Sequence, residues 1–177
     1  MRGNASYHRS VHMPGTGVQA VPNPTSRLYG YLQTTALIAF AAIVFLFPGP
    51  LIITQNKSAT IAGDVLCAFG ILLLFTAFRD IGHSIQIAPE PRADAKLVTT
   101  GVYRWFRHPI YTAILLVVIG IFLRTPALFI AIAGGIVALF LVIKVRFEER
   151  LLTARYPAYP AYKATSWGLV PWPRRRS

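Results

Sequence analysis

The sequence predicts an all-α, polytopic membrane protein. Its expected form is a helical bundle of about four transmembrane helices, with a tight hairpin of the third and fourth spans and a cytoplasmic C-terminal segment. Three observations carry this prediction. Hydrophobic residues make up 54% of the 177 positions and charged residues 14%, too apolar and too charge-poor for an ordinary soluble domain. The apolar residues concentrate in four long runs, on the scale of a bilayer span. The Lys and Arg residues gather mainly at the flanks of those runs, as topology signals do.

Residues 1–27 form a polar tail rich in Gly, Pro and Ser. That composition predicts disorder and no cleavable leader. Residues 28–177 are expected to form a single membrane domain. The first span runs from Leu28 to Phe47 and stops at Pro48-Gly49-Pro50, and the second runs from Ile61 to Phe78 and stops at Arg79-Asp80. The third runs from Pro109 to Leu123, and the fourth from Ala127 to Val145. Crossing the hydrocarbon core takes about 20 helical residues. The third span is shorter, so it needs bilayer thinning, snorkelling of Arg124 or shielding by protein.

Only Arg124-Thr125-Pro126 separates the third and fourth spans. So short a link predicts an antiparallel hairpin, with Pro126 suited to the first turn of the second helix. Ala131 and Gly135 fall one turn apart and predict close approach of another helix. Cys67 is the single cysteine and lies inside an apolar run. It forms no disulfide within the chain and is expected to be a small packing residue.

The net charge of +12 would suggest nucleic acid in a soluble protein, but its distribution here follows membrane topology instead. The tail before the first span, the stretch Arg79 to His108, and the stretch from Lys144 onward carry three, five and eight Lys/Arg residues. The other side carries only Lys57 and Arg124. The positive-inside rule therefore predicts both termini and the middle loop in the cytoplasm. Arg174-Arg175-Arg176 adds a further topology signal on that side, near anionic lipid.

Two polar clusters then fall on one face. The first, Tyr103 to Tyr111, brings Arg104, Arg107 and His108 to the start of the third helix, where Pro109 suits the first helical position. Free backbone N–H groups there favour an anion, and the tyrosines add hydroxyls and flat rings. The second, Arg146 to Arg150, carries Glu148 and Glu149. Each alone also fits a simpler role. Basic and aromatic residues anchor helices at bilayer interfaces, and Lys144–Glu148 and Arg146–Glu149 have the spacing of ordinary helix ion pairs. Brought together by the hairpin, they suit a ligand with one carboxylate and several cationic groups. S-adenosyl-L-methionine is such a ligand.

The run Leu97-Val98-Thr99-Thr100-Gly101-Val102-Tyr103, followed by Arg107-His108-Pro109-Ile110-Tyr111, resembles the integral-membrane methyltransferases related to isoprenylcysteine carboxyl methyltransferase, and the phospholipid methyltransferases. Glu148-Glu149 after the next helix, and the tail Tyr156 to Trp172 with Tyr159 and Tyr162, extend the resemblance. It implies an S-adenosyl-L-methionine site within residues 95–172, facing the cytoplasm and capped by the C-terminal segment. Leu97 and Val98 would give mainly backbone contacts. Tyr103, His108, Pro109 and Tyr111 would line the cofactor pocket, with Arg107 belonging to the motif. Glu149, with Glu148 beside it, would meet the cofactor's cationic or hydroxyl groups, and Arg146 would orient the acceptor. Ala95-Lys96 lacks the histidine of the eukaryotic carboxyl methyltransferases, which leaves the acceptor more open than the cofactor.

The implied chemistry is direct displacement at a sulfonium methyl. It requires no metal, and His8, His12, His83 and His108 have no metal-ligand spacing. His83, near the end of the second span, suits a packed or interfacial position. A carboxylate acceptor needs only alignment and desolvation, whereas an amine needs a base. The expected acceptor is a membrane lipid or lipidated molecule reaching the site from the bilayer (the inner or plasma membrane in a prokaryote). Carboxylate O-methylation is favoured over phospholipid amine N-methylation, and no nucleic-acid partner is expected. Two other classes remain: an NADPH-dependent membrane reductase of the sterol type, and a non-catalytic four-helix protein.

Overall fold

The far end of the bundle is held by a contact between two short connections. Leu51 bridges Ala127, Ile52 N–H donates to the Pro126 carbonyl at 2.9 Å, and Leu128 N–H donates to the Pro50 carbonyl at 2.9 Å. Gly49 turns here at φ +78°, and a Cβ on it would press on the Phe129 ring. The computed structural model describes residues 24–82 and 97–171. The expectations for His83, Ala95-Lys96, Trp172, the basic run 174–176 and residues 1–23 of the tail lie outside these.

The described chain is helical throughout: α1 (Pro24–Leu46), α2 (Lys57–Ile81), α3 (Pro109–Arg124), α4 (Leu128–Arg155) and α5 (Tyr159–Thr165), with a 3-10 turn at Gly101–Arg104 before α3. Of these, α1, α2 and α4 are long and apolar enough to cross a membrane. With 16 residues α3 is the shortest of the four expected spans, about 24 Å at the helical rise. Asn56 caps α2 by accepting the Ala59 N–H at 2.8 Å, a standard use of Asn. Pro109 opens α3, where a missing N–H costs nothing.

Packing follows two pairs, α2 with α3 and α1 with α4, joined through α3 and α4. Small residues set the α2–α3 distance. A Cβ on Gly63 would strike the Gly120 carbonyl, one on Gly70 the Ala113 carbonyl, and one on Gly120 the Cys67 sulfur. Cys67 packs in this seam, its thiol 3.7 Å from the Val117 carbonyl oxygen. The close approach expected at Ala131 and Gly135 is not found at Gly135. Gly135 faces open space, and it is Gly134 that meets Val118. An apolar helix carries no phase in its sequence, so the packed face was set by tertiary contacts. The core joins Phe40 of α1 and Val118 of α3 to Ile130, Ala133, Val137 and Leu141 of α4. The large apolar side chains left exposed, such as Phe45, Phe69, Phe75, Ile136 and Leu139, are where a lipid-facing surface belongs.

The α3–α4 hairpin forms as expected, because Thr125-Pro126-Ala127 leaves no room for another path. It brings the start of α3 beside the end of α4. The segment from Tyr156 onward then returns across that end of the bundle.

Candidate active site

His108 sits at the centre of the cluster. Its side chain is only 5% exposed, and its ring lies between two carboxylates. Nδ1 is 3.6 Å from Glu148 Oε2, and Nε2 is 3.6 Å from Glu149 Oε1. The ring stacks on Tyr111 with 8° between planes. Tyr111 donates its hydroxyl to Glu148 Oε1 at 2.6 Å. Residues from opposite ends of the hairpin therefore share one set of contacts. Two buried polar atoms here, His108 Nε2 and the Tyr159 hydroxyl, have no hydrogen-bond partner among the described residues, which is unusual for buried polar atoms.

Arg107 acquires a definite place. Its Nε donates to Glu149 Oε1 at 2.9 Å, and its Nη1 donates to the Lys163 carbonyl at 3.0 Å and to the Ser166 carbonyl. One guanidinium thus joins the start of α3, the end of α4 and the exit of α5, using the forked donor geometry that lysine lacks. Lys163 completes Glu149 by donating to Oε2 at 2.6 Å. The expected Arg146–Glu149 pair does not form. Arg146 is exposed and makes no ion pair with any described residue, because Glu149 faces α3 and α5. Arg146 continues the exposed stripe Leu139, Val142 and Ile143. The Lys144–Glu148 pair does form, at 3.6 Å.

The C-terminal segment covers the site by backbone as much as by side chain. Arg107 N–H donates to the Trp167 carbonyl, and Trp167 N–H to the Trp105 carbonyl, both at 2.7 Å. Thr112 donates to the Leu169 carbonyl at 2.8 Å, and Tyr162 to the Tyr103 carbonyl at 2.5 Å. Tyr159 beneath it is fully buried. Burial pushes the Tyr162 phenol up to about 12, against smaller opposite effects of Ser166 and Arg107. Burial likewise raises Tyr103 and Tyr159. All three stay protonated at neutral pH.

The remaining motif residues lead into this cluster. Leu97 and Val98 are half-buried at the start of the segment before the 3-10 turn, Tyr103 is buried in that turn, and Pro109 is buried at the first turn of α3. Two residues that sequence reasoning passed over support them. Asp80, at the end of α2, accepts the Val102 N–H at 2.8 Å and pairs with Arg79 at 3.0 Å. Gly101 has φ +60°, and a Cβ on it would collide with the Asp80 carboxylate. The second polar residue is Gln33 of α1, which accepts a hydrogen bond from Lys144. A polar residue within an apolar run was the available signal for Gln33, whereas Asp80 had looked only like the end of a span.

Comparison with known proteins points the same way. The family described as Phospholipid methyltransferase matches residues 58–159. The chain is 32% identical over 127 residues to a protein-S-isoprenylcysteine O-methyltransferase of Saccharomyces cerevisiae, covering 67% of this chain and 53% of that protein. It is 31% identical over 158 residues to protein-S-isoprenylcysteine O-methyltransferase B of Arabidopsis thaliana, covering 82% of this chain and 77% of that one. The match thus spans about half the length of the yeast relative.

Proposed function

Because the chain belongs to the phospholipid methyltransferase family, we propose that it is an integral-membrane methyltransferase that uses S-adenosyl-L-methionine and acts on a lipid-like carboxylate. The observation that carries this reading is the convergence of Arg107, His108 and Tyr111 with Glu148 and Glu149 in one buried cluster. The residues fit the cofactor in kind. Charges of both signs stand together for a ligand bearing a carboxylate, an ammonium and a sulfonium, and two buried polar atoms make no hydrogen bond among the described residues. When bound, the cofactor supplies an electrophilic methyl group.

The start of α3 faces the ligand's carboxylate, with Arg107 beside it holding Glu149 and the covering segment. His108, Tyr103, Pro109 and Tyr111 line its pocket, with Leu97 and Val98 contributing backbone. Glu149, beside Glu148, meets its cationic or hydroxyl groups. Of the two cations on Glu149, Lys163 has a side chain 49% exposed and Arg107 one 11% exposed. Lys163 is therefore the one a ligand cation replaces, and Arg107 stays as the clasp. The C-terminal segment excludes water above the cluster, which strengthens each charge contact beneath it.

A carboxylate acceptor is favoured over an amine on the same contacts. Glu148 is engaged by Tyr111 and Lys144, and Glu149 by Arg107 and Lys163. Neither stands free to take a proton from an ammonium, and a carboxylate needs no such step. Arg146, exposed at the end of an apolar stripe on α4, would orient that carboxylate as it arrives from the bilayer. The positive-inside rule favours a cytoplasmic position for this face and for both termini.

Incubating the purified protein and membrane extract with methyl-labelled S-adenosyl-L-methionine tests the reading. Label appearing in a lipid-soluble fraction and released by mild base supports a methyl ester. Base-stable label moves the acceptor to an amine. No transfer to any fraction, with saturable NADPH binding instead, overturns the reading in favour of a reductase.

A further inference from the structure

Lys144 is the one described lysine that α4 carries within its apolar length, and its side chain is only 4% exposed. An apolar residue would be cheaper at such a position, and ionisable groups there tend to have work to do. The contacts of Lys144 are specific. Its ammonium donates to Gln33 of α1. It lies 3.6 Å from Glu148 Oε1 and 5.2 Å from the centre of the Tyr111 ring. Glu148 Oε1 is the same oxygen that accepts the Tyr111 hydroxyl, and Glu148 Oε2 faces His108 Nδ1. One buried ammonium thus touches both groups that flank the Nδ1 side of the central histidine.

Among the described residues Gln33 makes no other side-chain hydrogen bond, and it sits on the packed face of α1. Tyr29, one turn earlier, stacks on Phe147 of α4 at 4.7 Å, and Phe40, two turns later, enters the core. The α1–α4 contact therefore fixes where the Gln33 amide oxygen stands, and that oxygen aims the lysine.

We propose that Lys144, steered by Gln33, is a positioning residue that sets Glu148 against Tyr111 and His108, so that the first span is part of the site and not only an anchor. The role rests on the cofactor reading for its consequence but not for its geometry. Without the ammonium, the Glu148 carboxylate is left with only Tyr111 and His108 to hold it, and it turns toward the cytoplasm. The Tyr111 ring loses both its cation and its hydroxyl acceptor together.

The test uses the full chain in detergent micelles, with Lys144→Met, Lys144→Arg, Gln33→Leu, Glu148→Gln and the double variant Lys144→Met/Glu148→Gln. The first readout is the nitrogen NMR shifts of the His108 ring, assigned by loss of signal in His108→Gln. The second is the dissociation constant for S-adenosyl-L-methionine. Lys144→Met is expected to move the His108 nitrogen shifts and weaken binding roughly tenfold, and Gln33→Leu to do so in the same direction by less. Lys144→Arg restores part of both. In the Glu148→Gln background the added Lys144→Met change has no further effect, because Lys144 acts through Glu148. Unmoved His108 shifts in folded Lys144→Met, or effects that simply add in the double variant, overturn the proposal. Coupled His108 shifts in a protein that binds no S-adenosyl-L-methionine support it while overturning the cofactor reading.

Discussion

Arg107 and Glu149 stand 42 positions apart in sequence, yet their side chains meet at 2.9 Å, each nearly closed off from solvent. The same guanidinium holds the carbonyls of Lys163 and Ser166. This pair ties together the start of α3, the end of α4 and the covering segment. Its loss has a structural consequence as well as a binding one.

Arg107→Ala leaves a buried carboxylate with Lys163 as its remaining strong cation. Removing one partner of such a pair costs about 3–5 kcal/mol. The covering segment should loosen first. Limited proteolysis is expected to cut near Lys163 many times faster than in the wild type, and thermal unfolding to shift down. Arg107→Lys should recover little, since an ammonium cannot make the forked contact.

Gly101→Ala places a Cβ where the Asp80 carboxylate now lies, at φ +60°. The backbone conformation alone costs a non-glycine residue about 1–2 kcal/mol. The variant is expected to be less stable than Asp80→Asn, which keeps an acceptor for the Val102 N–H but drops the charge. Thermal melts of the two in the same detergent check the order.

Gly120→Val and Gly135→Val separate the packed seam from the exposed face. The first forces α2 and α3 apart at Gly63 and Cys67, an overpacking worth about 1–3 kcal/mol. The second adds bulk in open space, with an expected effect within about 0.5 kcal/mol. Detergent-denaturation midpoints distinguish them.

These contrasts also show what the sequence could carry. The four apolar runs, and the three-residue link that folds the last two back on each other, required only local information. So did the meeting of the Arg107–Tyr111 run with Glu148–Glu149, since a hairpin allows no other register. The partner of Glu149 was a different matter. Helical spacing offered Arg146, while the true partners come from the turn just before α3 and from α5, which no periodicity reports. Gly135 misled for the same reason, because both faces of α4 are apolar and the neighbour decides which one packs. Gln33 and Asp80 entered the account only through contacts between distant elements.

Alkaline titration reports on the covering segment. Burial raises the Tyr162 phenol in the fold to about 12, above its unfolded value of about 10. The folded chain then holds this proton more tightly than the unfolded one, so stability is intact below about pH 10 and falls as pH rises toward 12. Tyr162→Phe should show a smaller decline across that window. Denaturation midpoints measured between pH 8 and 12 give the comparison, and equal declines would count against burial of this phenol.

Binding of the methyl donor is the most direct test of the whole account. Purified protein in detergent, titrated with S-adenosyl-L-methionine, is predicted to bind it saturably. The His108→Ala and Glu149→Ala variants, checked for helical content, should bind at least tenfold more weakly. Folded wild-type protein that shows no saturable binding, or variants that bind as tightly as the wild type, would contradict the assignment of this cluster as the cofactor site.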